Sequence, residues 1–259
     1  MTASLEFDQD KLPLVEAALR TSFRSQVPLR FAILNDVRAE LTDEFPSLDE
    51  LPQFEAPPGM NVQVTFGVGQ IPGAVLSGHK QGLRATIQQH VVVTRWVRAP
   101  HRGAPKYPRF AALRDCHWRV VRALLKAVNA PDVPFGAVNM SYTNFLQREA
   151  TPDVLFRYFS PAAYVELVRQ AALLHKYEVS WQDSDAVDLR LRLERVAFQI
   201  GDEKKEGYNL TTIAGKAASS LDEARDNLDR VHGQLNEFFD VLISDDAKKD
   251  WGYSGSSNL

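Results

Sequence analysis

Val187–Phe198, VDLRLRLERVAF, alternates apolar and charged residues almost without a break. A period of two over that length marks a β-strand with one face buried and the other wet. A charged turn follows at Gly201–Gly207, then a second strand at Tyr208–Ala217, then the best-specified helix of the chain. In it Leu221, Ala224, Leu228, Val231, Leu235, Phe238 and Leu242 step by three and four residues and draw one apolar seam. Ser220 with Glu223 three residues on predicts a capping box at its start. Gly233 weakens a free-standing helix by about 1 kcal/mol, so the seam reads as a core face and not as a coiled-coil contact.

The rest of the chain follows the same grammar. Leu14–Phe23 (LVEAALRTSF) alternates as a half-buried strand. Phe31, Leu34, Val37, Leu41 and Phe45 trace an amphipathic helix with an acidic outer side, stopped by Pro46. Proline-rich Asp49–Asn61 predicts a loop, Val62–Val68 a short strand, and Ile71–Gly82 a glycine-punctuated turn region. Arg84–Val97 (RATIQQHVVVTRWV) reads as one long strand. Ala99–Pro108 is a basic loop, and Phe110 to Val128 a helix carrying most of the neighbouring cations. Strands are expected at Phe135–Phe145 and Tyr177–Trp181, and a helix at Pro161–Leu174.

Strands followed by one long helix, twice over, predict an α+β fold: largely antiparallel sheet with long amphipathic helices packed on one face, as a two-half pseudo-repeat. The expected division is 1–130, 131–253 and a flexible tail at 254–259, the halves packed as one unit.

At 259 residues, 44% apolar and 24% charged, the chain is long enough for a full core without staples. Cys116 is the single cysteine, so no intrachain disulfide forms, and a reducing, cytoplasmic setting is expected. Glu6, Asp8 and Asp10 stand where a leader would need basic residues. No window approaches the roughly 18–20 apolar residues that span a bilayer, so no membrane partner is expected.

The charge is uneven. Arg84–Lys126 holds ten Lys/Arg and one acid, Asp115, a balance of +9, while the whole chain is −3, leaving −12 elsewhere. Within it Arg95, Trp96, Arg98, His101, Arg102, Lys106, Tyr107 and Arg109 interleave cations with aromatics. Guanidinium groups pair with phosphates or carboxylates and aromatic faces stack on bases, so this segment is the candidate anion- or partner-binding site. The competing reading is internal: Asp36, Glu40, Asp43, Glu44, Asp49, Glu50 and Glu55 supply acids that would neutralise it.

Other motifs resolve toward structure. Gly67–Gly73 lacks the spacing of a dinucleotide loop, with Pro72 where a third glycine belongs. The six histidines show no short metal spacing. Cys116 and His117 are neighbours on a helix, where successive side chains diverge, so they do not form a nucleophile–base pair. Asp183, Asp185 and Asp188 would offer hard oxygens to a divalent cation, but turn-forming polarity explains them equally.

Val15-Glu16-Ala17, Arg95-Trp96, Tyr107-Pro108-Arg109-Phe110, and Asp246-Ala247-Lys248 with Trp251-Gly252 resemble the motifs of a sporadically distributed bacterial family with no established activity. That family usually has Trp then Arg adjacent in its central strand, whereas here Arg95 precedes Trp96. The resemblance implies a fold and a bacterial cytosolic setting, and no reaction.

The leading expectation is therefore a non-catalytic interaction or accessory protein, antitoxin- or defence-associated, with a protein partner and no cofactor. A nucleic-acid-binding module using residues 95–109 is the alternative. A metal-assisted enzyme, built on the Asp183/Asp185/Asp188 turn or on His101 as a base, is the third.

Overall fold

The computed structural model describes residues 11, 13–50, 73–78, 82–98, 106–130, 132–147, 157–160, 176–200 and 203–252. These form, in order, β1 (Leu14–Phe23), α1 (Phe31–Glu40), β2 (Ser47–Glu50), β3 (Gly73–Ser77), β4 (Leu83–Gln88), β5 (Val91–Val97), α2 (Arg109–Ala127), β6 (Phe135–Gln147), β7 (Lys176–Gln182), β8 (Asp188–Ile200), β9 (Glu203–Ala217), α3 (Leu221–Leu242) and α4 (Asp245–Asp250). The strands hydrogen-bond in the order β2-β3-β4-β5-β1-β6-β9-β8-β7 in an antiparallel open sheet, so the chain is α+β. The strand expected at 62–68, the helix at 161–174 and the tail at 254–259 lie outside the described residues.

Two compact units divide the chain: one takes the described residues of 1–17, 139–216 and 225–259, the other those of 18–138 and 217–224. In the second, α2 packs on β5 and on α1. Leu113, Val120 and Leu124 of α2, Leu34 and Val37 of α1, and Ala85, Ile87 and Val92 of the sheet are all fully buried. Each of the Leu, Ile and Val side chains among them contributes about 1.5–3 kcal/mol by leaving water. In the first unit, Leu191, Leu193 and Leu210 pack with Leu146, Phe159, Phe239, Leu242 and Trp251.

The C-terminal turn is tied down by several contacts. Ser244 caps α4 by accepting from the Ala247 amide at 3.1 Å. Trp251 stacks between Tyr158 (5.6 Å) and Phe239 (6.3 Å). Gly252 then takes φ 69°, the left-handed conformation glycine adopts at little cost.

Three expectations are corrected. Arg84–Val97 is not one strand but a hairpin: Gln88 pairs with Val91 and Leu83 with Trp96, leaving Gln89-His90 as the loop. Neither loop residue has positive φ. The turn carbonyls are instead occupied from outside, His90 O by the Phe23 amide (2.8 Å) and Gln89 O by the Val27 amide (2.7 Å). Within Ile71–Gly82, read as turn, Gly73–Ser77 forms β3 and pairs with β4. Gly201–Gly207 is likewise mostly strand, because β9 begins at Glu203, opposite Ile200. The first helix keeps Leu41 and Phe45 buried as its spacing implied, although its regular part ends at Glu40.

The capping box forms with a shift. The Glu223 amide donates to Ser220 Oγ at 3.2 Å, while the Glu223 carboxylate accepts from the Ser219 amide at 2.7 Å, one residue further back than the usual partner.

Gly207 sits inside β9 because nothing larger fits. A Cβ there would lie 2.4 Å from the Leu146 carbonyl oxygen and 2.7 Å from the Phe145 ring. Gly207→Ala is expected to lower stability by roughly 1–3 kcal/mol or more, read as a drop in the urea midpoint at unchanged slope; an unaltered midpoint contradicts this packing.

Candidate partner-binding surface

The geometry of the basic segment starts from a buried histidine. His117 of α2 is fully buried. Its Nε2 lies 2.8 Å from Thr21 Oγ1 on β1 and its Nδ1 3.0 Å from Thr94 Oγ1 on β5. One nitrogen of a neutral imidazole accepts and the other donates, and a hydroxyl answers either role, so both are satisfied. Desolvation by burial lowers its pKa from 6.5 to about 3. Cys116 beside it is buried as well. The pair is core, as its helical spacing implied.

Strand alternation does the rest. Thr94 and Trp96 face α2, so Arg95 points to the opposite side of the sheet. Its cross-strand partner on β4 is Arg84, which is exposed. On β1, Thr21 faces inward and the exposed Arg20 outward, again on the side away from α2. Like charges directly opposed on a sheet cost stability, by a few tenths to about 1 kcal/mol. Among the described residues no acid is paired with the exposed Arg84 guanidinium.

The described candidate residues therefore do not form one patch. Trp96 is 2% exposed and its ring packs on Tyr107 with centroids 5.4 Å apart, so it is not available to stack on a base. Arg98 is half-buried at the end of β5; Lys106 and Arg109 are exposed at the start of α2. Arg109 opens that helix at φ 67°, a conformation costing an arginine of order 1–2 kcal/mol. His101 and Arg102 lie outside the described residues.

On α2 the internal reading holds for part of the charge. Lys126 Nζ meets Glu40 at 2.8 Å and Arg119 pairs with Glu44, both acids from α1 and its turn. Exposed pairs of this kind add little stability, up to about 1 kcal/mol each, but they offset two of the helix's five cations. On the side of the sheet away from α2 stand Arg20, Arg84 and Arg95. The first two stand outside the 95–109 segment. Alternation in LVEAALRTSF signalled Arg20, whereas Arg84 was hidden by the unread hairpin.

The acidic turn serves itself. Asp183 Oδ1 accepts from the Asp185 amide (2.9 Å) and the Val187 amide (2.8 Å), and Asp188 Oδ1 accepts from Gln182 (3.0 Å). Among the described residues no group of three or more His, Cys, Asp or Glu is placed to hold a metal ion. Among them, too, no helix is long and apolar enough to cross a membrane. No protein-family model matches the chain, and no curated protein matches it.

Between pH 6.5 and about 3 the unfolded chain binds a proton that folded His117 refuses. Stability from this group is complete above pH 6.5 and is lost as pH falls through that window, by up to about 1.4 kcal/mol per pH unit. His117→Gln should be less stable than wild type at neutral pH, with a difference that shrinks on acidification. Denaturation series at several pH values check this, and a constant difference contradicts it.

Proposed function

We propose that the chain is a non-catalytic accessory protein of the bacterial cytosol, antitoxin- or defence-associated, which holds an acidic protein partner on the outer side of β4 and β5. The observation that carries the reading is the Arg84–Arg95 cross-strand pair. Arg119 and Lys126 of α2 are paired with acids of α1 and its turn, whereas on the other side of the sheet the exposed Arg84 stands directly opposite Arg95, an arrangement of guanidinium groups suited to a carboxylate-rich surface. Exposed Arg20 extends the same surface. The bacterial and cytosolic parts of the proposal draw on the family resemblance and on the single, buried cysteine.

A nucleic-acid partner is the second reading, favoured by exposed Lys106 and Arg109 beside the start of α2. It loses its stacking platform, because Trp96 is turned to the core.

The test is affinity capture from the source organism with the wild-type chain and with Arg84→Glu/Arg95→Glu. The expected result is one protein recovered in stoichiometric amount, its affinity falling about tenfold or more on charge reversal. Recovery of nucleic acid, with affinity dropping by several logs per log of salt, moves the assignment to the second reading. Recovery of neither, or capture indifferent to the double variant, ends the first.

A further inference from the structure

The two ends of the strand order are built differently. At one end β2 is four residues long, Ser47-Leu48-Asp49-Glu50, and half acidic. Short charged edges are how sheets discourage pairing with another chain. At the other end β7 is seven residues long, Lys-Tyr-Glu-Val-Ser-Trp-Gln, with one cation, one anion and no proline. Among the described residues β7 pairs only with β8.

β7 alternates cleanly. Tyr177 and Val179 lean on the core of their unit, and Trp181 on the same side meets Phe238 of α3 edge-to-face at 4.9 Å. Trp181 is nevertheless 37% exposed, and Val241, one turn beyond Phe238, is 72% exposed. They are two of the three large hydrophobic side chains exposed among the described residues, the other being Phe31. Apolar surface thus runs from a strand edge that pairs with no further described strand onto the adjoining helix.

We infer that β7 is the interface of a symmetric homodimer, in which the strand pairs antiparallel with its own copy about a two-fold axis through Val179. The sequence of the strand is self-complementary in that register. Tyr177 falls opposite the partner subunit's Trp181, Glu178 opposite the partner subunit's Ser180, and Lys176 opposite the partner subunit's Gln182. Aromatic meets aromatic on the apolar side, and no like charges are opposed. A shift that centres the axis on Glu178 sets two carboxylates against each other. Moving the register by one residue sets Trp181 against a polar side chain and sends each apolar set to the wrong face. A two-fold pairing closes after two copies and leaves no further edge of this kind. This inference does not depend on the acidic partner proposed for β4 and β5.

Val179→Cys tests the register. Directly opposed antiparallel residues lie within reach of a disulfide, about 4.5–5.5 Å between Cα atoms, and the chain's own Cys116 is buried. On mild oxidation Val179→Cys is expected to give a covalent dimer of twice 29.1 kDa. Ser180→Cys, whose opposite number is Glu178, is expected to give little. Light scattering of the untreated wild type should show a dimer at micromolar concentration. Trp181→Lys should raise its dissociation constant about tenfold or more, with unchanged circular dichroism. A monomeric wild type, a dimer indifferent to Trp181→Lys, or equal cross-linking through positions 179 and 180 each overturns the inference. If β7 instead serves a strand of another protein, the wild type alone is monomeric.

Discussion

A neutral imidazole decides which way the central strands face. His117 takes a threonine from β1 with one nitrogen and a threonine from β5 with the other. It is held in a core that charged histidine would not enter. Once Thr21 and Thr94 are committed to that clasp, the pleat leaves Arg20 and Arg95 no choice of side. The outward cations are thus a consequence of an inward hydrogen-bond network. Any binding property of that surface is inherited from the core beneath it.

How much of this could be read in advance depended on whether the signal was local. Periodicity alone located β1 and α2 to within a residue, because their buried sets (Ala17, Leu19, Phe23; Leu113, Val120, Leu124) repeat at the spacing of one element. The β4–β5 hairpin was invisible for the opposite reason. Its turn, Gln89-His90, has no glycine, asparagine or positive φ, and it is held by amides of Phe23 and Val27 more than sixty residues earlier. No window of local sequence contains those partners. Reading the hairpin as a single strand in turn concealed the Arg84–Arg95 opposition. The candidate segment was accordingly drawn along the chain, although its charges are organised across it.

The short motifs that suggested a family make sense as structural contacts. Trp251 and Ala247 are buried in the core of their unit, with Trp251 stacked between Tyr158 and Phe239. Gly252 has the left-handed backbone that ends the turn. Tyr107 covers Trp96, and Arg109 begins α2 in a strained conformation. These contacts pin the start of α2 and the turn after α4 to their units.

Charge on this molecule follows a single division of labour. Where helices lie together, as at Glu40–Lys126 and Glu44–Arg119, opposite signs are matched. Where the outermost strands meet, as at Glu178–Arg190 and Arg195–Glu206, they are matched again. Matched pairs at exposed sites contribute little energy, but they remove the surface as a target for charged partners. On the outer side of β4–β5 Arg84 stands opposite Arg95, and beside β7 the apolar Trp181 and Val241 are exposed. The two regions differ in chemistry: the first offers charge, the second apolar area.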